Sequence, residues 1–127
     1  MLPKLEVIEM TRALAAHAGA RQEAVARNVA NADTPGYRAA DLPGFAAAYR
    51  GTGDTQMRAT RAGHLGSGGQ SVTLAARALT VEAAPNGNTV SLEQEMVRAA
   101  EVRQQHDMAL SIYTSLSGVL RSSLGRR

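Results

Sequence analysis

Three histidines, two glycine-rich loops and a few carboxylates are the residues of this 127-residue chain whose types invite a chemical reading. A metal site on a helix needs a second His or a carboxylate three or four positions away, on the same face. His17, His64 and His106 have no such neighbour, so each reads as a surface or seam residue. Gly51-Thr52-Gly53 and Ser67-Gly68-Gly69 look like phosphate cradles, but no Gly-Lys-Ser/Thr follows and no clear strand precedes them. They read as flexible loop. Glu93 and Glu95 sit where a helix start favours negative charge, and Asp33 sits in a turn, so no carboxylate pair is left for acid–base work. With no cysteine there is neither a disulfide nor a thiolate metal site. The residues point to a protein that is not an enzyme, with no cofactor and no metal.

The residues that must be positioned belong instead to two long helical stretches at the ends of the chain. From Pro3 to Asn31, Val7, Met10, Leu14, Ala18, Val25 and Val29 recur at three- and four-residue steps, with Pro3 tolerated in the first turn. Arg21 interrupts the stripe, which makes it a narrow seam for a partner helix. Termination is written into Asn28 to Tyr37. Asn31 suits a left-handed cap, Pro35 disfavours helix at Thr34, and Pro35-Gly36 fits the centre of a type II turn. The second helix opens at Ser91-Leu92-Glu93-Gln94, a capping box in which Ser91 accepts from the backbone and Gln94 reaches back. Met96, Ala99, Leu110, Tyr113, Leu120 and Leu124 then keep a heptad-like phase up to Gly125.

The middle is turn-rich. Residues 51 to 69 hold Gly, Thr and small polar side chains without an aromatic, too little apolar area to offset ordering entropy, and they read as a mobile loop. Ser71 to Ala83 alternates loosely through Val72, Leu74, Leu79 and Val81 before a Pro85-Asn86-Gly87 turn, leaving room for short β-strands. The expected fold is mainly α: two long terminal helices packed as an antiparallel coiled-coil-like pair, joined by this loop-rich middle. Residues 1–34 and 89–127 then form one helical core domain, with 35–88 connecting them. The expected assembly seam, by which the helices pack together and against partners, is Leu14, Val25, Val29, Met96, Leu110, Tyr113 and Leu120.

Composition agrees with helix-on-helix contact. One Phe, three Tyr and no Trp cannot build a large interior, whereas small side chains let helices approach closely. Fourteen basic against eleven acidic residues leave a formal +3. A small basic helical nucleic-acid-binding protein is the rival reading, and it requires Arg gathered on one face. The arginines are instead interleaved with Glu along both helices, so no nucleic-acid partner is expected. Met1 to Met10 carries Lys4, Glu6 and Glu9 and reads as no signal peptide, and no stretch approaches membrane-spanning length. The chain is expected to stay in the cytoplasm or to leave by a route that cleaves no signal.

Asn28-Val29-Ala30-Asn31-Ala32-Asp33-Thr34-Pro35-Gly36-Tyr37-Arg38 resembles the signature of flagellar rod, hook and hook-associated axial proteins. Gly87-Asn88-Thr89-Val90-Ser91-Leu92-Glu93-Gln94-Glu95-Met96 resembles a second segment, found in the proximal-rod subunits of that family. Arg27 and Val29 stand where relatives often carry Asn and Ile, and Ser91 replaces a common Asp, itself an equally good N-cap. The short middle is unlike a hook or distal-rod protein, while another rod subunit stays open. The resemblance implies a structural subunit of the tubular drive shaft in the periplasm, exported without cleavage through the flagellar type III apparatus. It also implies partners: further copies, other proximal-rod subunits, the adaptor joining rod to membrane ring, and the export gate, without direct membrane insertion.

Overall fold

The computed structural model describes residues 2–51 and 75–125. His64, the glycine-rich loop beyond Gly51, and Val72 and Leu74 of the expected strand lie outside them. Helix α1 spans Leu2–Ala30, strand β1 Ala40–Asp41, helix α2 Phe45–Gly51, strand β2 Arg77–Ala78 and helix α3 Leu92–Leu124. At 1.5 Å per residue the two terminal helices run roughly 43 and 50 Å. α1 is rich in Ala, and both helices are free of internal proline beyond the first turn. In α3, Glu93 and Glu95 in the first turn and Arg121 in the last complement the helix dipole.

The long helices pack along one another. Ala18 and Gln22 share a groove with Ala99 and His106, and Thr11 and Ala15 share one with Ala109 and Tyr113. Earlier residues of α1 thus meet later residues of α3, so the pair is antiparallel. Contact follows sevens on both sides: Thr11, Ala18 and Val25 on α1, and Glu95, Val102 and Ala109 on α3, are buried. That spacing keeps a seam facing its partner. Leu14, Tyr113 and Leu120 flank it, half-buried.

Three residues of the expected assembly seam lie outside the contact of α1 with α3. Val29 is 46% exposed, Met96 74% and Leu110 46%, so none of them closes the contact within one chain. The residues that do close it include Thr11, Ala109 and Glu95, too polar or too small to mark a hydropathy stripe. Because Ala and Thr are short, the helices come close enough for Val25 and Val102 to be covered almost completely.

The middle folds back over one flank of α1 as a strap. β1 and β2 pair antiparallel, Ala40 opposite Ala78 and Asp41 opposite Arg77, and the ladder continues where the Leu79 amide donates to the Ala39 carbonyl at 2.8 Å. The strap carries Leu42, Phe45 and Ala48 towards α1. Phe45 meets the His17 ring edge-on at 5.6 Å and Tyr49 at 5.3 Å, so the one Phe of the chain serves the strap instead of the helix seam.

Candidate functional site

The two loop segments singled out in the sequence lie against each other. α1 ends in tightening turns, with the Asn31 amide reaching the Arg27 and Asn28 carbonyls and the Ala32 amide the Val29 carbonyl. The last carbonyls of a helix have no partner within it. Just beyond that end Asn88, from the far side of the chain and 3% exposed, supplies partners for the carbonyls of the exit turn. Its side-chain amide donates to the carbonyls of Asn31, Ala32 and Thr34 at 2.9, 2.8 and 2.8 Å. Its Oδ1 accepts from the Val90 amide at 2.7 Å, so one side chain ends the first helix and shapes the approach to the second.

Around Asn88 the backbones interlock. The Gly36 amide donates to the Asn86 carbonyl at 3.0 Å, and the Thr89 amide to the Tyr37 carbonyl at 3.0 Å. The Ala39 amide donates to Thr89 Oγ1 at 2.8 Å. Gly36 and Gly87 both have positive φ, 71° and 79°, a region that costs L-residues with a Cβ. They also abut: a Cβ on Gly87 would stand 3.3 Å from the Gly36 Cα. The Tyr37 amide donates to the Thr34 carbonyl at 3.3 Å, closing the turn around Pro35-Gly36. Asp33, Thr34 and Pro35 are exposed on its outer side.

Asn28 ties the strap to α1 in the same manner. It is 1% exposed; its Nδ2 donates to the Ala40 carbonyl at 2.9 Å, and its Oδ1 accepts from the Ala40 amide at 3.0 Å. The side chain thus acts as a strand partner for β1. Tyr37 adds its hydroxyl to Asn28 Oδ1 at 3.4 Å. Two turns up the helix, Arg21 grips Asp41 with two bonds, Nε to Oδ1 at 3.0 Å and Nη2 to Oδ2 at 2.7 Å. Burial by itself pushes the Asp41 carboxyl up. The Arg21 bonds, the Leu42 amide and the charges of Arg21 and Arg98 outweigh it and hold the group below the usual carboxylate value. Arg21 is raised in turn, chiefly by its bond to Asp41. Further up, the carbonyl of Pro43 lies 2.8 Å from His17 Nε2; a carbonyl only accepts, so Nε2 carries the proton.

Two local expectations are corrected. Asn31 was read as a left-handed cap, yet no non-glycine residue among those described has positive φ. Its side chain caps by another route, donating from Nδ2 to the Arg27 carbonyl at 2.8 Å; the turn adopts right-handed geometry because Asn88 takes the remaining carbonyls. Ser91 stands at the N-cap of α3 with extended backbone but makes no side-chain cap bond, and Gln94 is exposed. Without the Ser91 cap bond, the exposed first turn at Leu92, Glu93 and Gln94 leaves its amides to water. Asn88 and Thr89 stand in the second resembling segment, but their sequence reads locally as a turn and gives no hint of a distant helix end; Asp41 carries no local signal of its partner Arg21.

Nothing in this arrangement gathers reactive groups. Among the described residues no group of three or more His, Cys, Asp or Glu could hold a metal ion, and no described helix is long and apolar enough to cross a membrane. Arg21 and Arg98 are tied to Asp41 and Glu95, and Arg27 to Glu23, so these arginines form no common phosphate-facing surface and give the nucleic-acid reading no support. Buried polar side chains hold the strap and the two segments in register, while several large apolar ones, among them Val29, Met96 and Leu110, stay outside. The class this defines is a structural helical subunit.

Comparison with known proteins agrees. Residues 11–38 match the flagella basal body rod protein family. The flagellar basal body rod protein FlgB of Agrobacterium fabrum is 31% identical over 127 residues, covering 96% of this chain and 95% of that protein. FlgB of Cereibacter sphaeroides is 33% identical over 83% of this chain and 84% of its own length, and FlgB of Escherichia coli K12 33% over 82% and 80%. The chain belongs to the FlgB family of flagellar basal body rod proteins, which are structural and not enzymatic.

Proposed function

We propose that this chain builds the proximal part of the rod in the periplasm, after export through the flagellar type III apparatus without cleavage. Its partners there are further copies, other proximal-rod subunits, the adaptor to the membrane ring and the export gate. The observation that carries this reading is the division of the seven seam residues. Val25 is buried and Leu14, Tyr113 and Leu120 are half-buried in the helix pair, whereas Val29, Met96 and Leu110 remain exposed. The first group holds residues 1–34 and 89–127 together as one helical unit; the second awaits neighbours. Helices that gain most of their stability from packing are marginal alone, so the ends pass an export channel at low unfolding cost and complete their burial on assembly. Cross-linking in intact basal bodies tests the partners, and a mature chain lacking its first residues would overturn uncleaved export. Leu14→Asp and Leu120→Asp test the seam, since an unpaired carboxylate there costs several kcal/mol, on the order of 3. Both variants are expected to be soluble but non-motile, with Arg27→Ala tolerated. Complete rods from both Asp variants would refute the seam.

A further inference from the structure

The helix pair has two unlike flanks. One carries the strap in its upper part, against His17, Arg21 and Asn28. The other carries no strap contact among these bonds and forms an open groove of about 670 Å³ floored by Ala18, Gly19, Ala99, Ala100 and Val102. A second depression of about 180 Å³, between Thr11, Ala15 and Ala109, extends it. Together they run along α1 from residue 11 to 22, about 16 Å at 1.5 Å per residue.

On the strap flank, beyond the strap, lies an apolar ridge. Ile112 and Val119 continue by sevens the track of Arg98, whose charge reaches Asp41, and Met10 lies one heptad before His17, on the same side. Met108 is one turn from Ile112. These side chains are exposed, Met10 by 39%, Met108 by 50%, Ile112 by 37% and Val119 by 49%. From Met108 to Val119 the ridge is again about 16 Å long, the length of the groove. Charge leans the same way: exposed Arg12 and Arg103 border the groove against one lining carboxylate, Asp107, while exposed Glu6 and Glu101 fall on the ridge side.

We propose that the helix pair stacks flank to flank on a second copy of this chain, the Met108–Ile112–Val119 ridge of one copy seated in the Gly19–Ala100 groove of the next. The proposal rests on the rod-subunit reading above and names the surfaces that reading leaves open. Ridge and groove are different patches, so the contact is heterologous and leaves a free ridge and a free groove at the two ends; it propagates instead of closing as a symmetric dimer. Opposite charge at the borders orients the encounter and disfavours ridge on ridge. Small residues in the floor matter because they admit a neighbouring helix closely.

The chain has no cysteine, which gives a clean test. Gly19→Cys and Ile112→Cys copies, co-expressed in a strain lacking the native subunit, are oxidised in isolated basal bodies. The mixed disulfide is expected at about tenfold or more over dimers of either variant alone, at a Cα separation a disulfide can span. A second variant, Gly19→Leu, fills the groove; a Cβ at Gly19 meets nothing within 4 Å, so the monomer keeps its helicity while incorporation into basal bodies and motility are lost. Ile112–Ile112 dimers in place of the mixed species would mean a symmetric contact and overturn the proposal. So would a motile strain without any mixed cross-link, which would assign the groove to a different protein and leave the rod assignment standing. Failure of the unmodified chain to restore rods in the same strain would sink the rod reading itself.

Discussion

Replacing Asn88 by Ala removes the one side chain that bonds α1, its exit turn and the approach to α3 together. Three carbonyls share its two N–H groups, and Oδ1 accepts one amide. The side chain therefore supplies the equivalent of about three full hydrogen bonds, each worth ~1 kcal/mol net when buried. Asn88→Ala should cost about 3 kcal/mol, close to a hundredfold in the local opening equilibrium. Amide exchange of the full chain reads this directly at Gly36, Thr89 and Ala39, whose N–H groups bridge the two segments. Their protection should fall by about two orders of magnitude, and by more than that of amides in the centre of α3. Asn88→Asp separates donor from shape. It keeps the acceptor for Val90 but turns an anionic oxygen towards three carbonyls at the negative end of α1, so it should be at least as damaging as Ala. A drop of less than about threefold in Asn88→Ala, or an Asp variant milder than Ala, would refute the clasp.

Three further outcomes follow from the geometry. Gly36→Val meets no steric neighbour within 4 Å, so its cost is backbone strain at φ +71. That is about 1–2 kcal/mol or more, read as export without incorporation into basal bodies; normal motility would deny the strain a role. Asp41 has a lowered pKa when folded, so its contribution is fully present above the ordinary carboxylate value and lost as pH falls through the lower folded one. Asp41→Asn should be less stable at neutral pH and show a shallower acid loss of helicity by circular dichroism, and equal acid slopes would contradict the ion pair's role. In the dilute full chain, amides before about Asn31 and after Ser91 should exchange readily, because the exposed apolar positions lack their neighbours. Strong protection at both ends would contradict assembly-coupled folding.

Much of the architecture was legible in the chain because it follows from local rules. Apolar recurrence marks both helices, Pro35-Gly36 marks the exit from α1, and the absence of internal proline lets α3 run to Leu124. Two segments, 28–38 and 87–96, also stood out by their resemblance to flagellar axial proteins. What tertiary structure alone decided is which side chains those elements use on each other. Hydropathy favours Met96 and Leu110 for the seam, but the close approach of the two helices selects Thr11, Ala18 and Ala109, since small side chains permit the shortest distance, and it buries Glu95 paired with Arg98. Arg21, which looked like a break in the stripe, is a strap anchor only once Asp41, twenty residues on, is folded against it. Asn88 reads as a turn residue until the end of α1 arrives from more than fifty positions away. Local periodicity encodes the existence of an element, but the partner of a buried amide or carboxylate is set by chain closure, which no local pattern records.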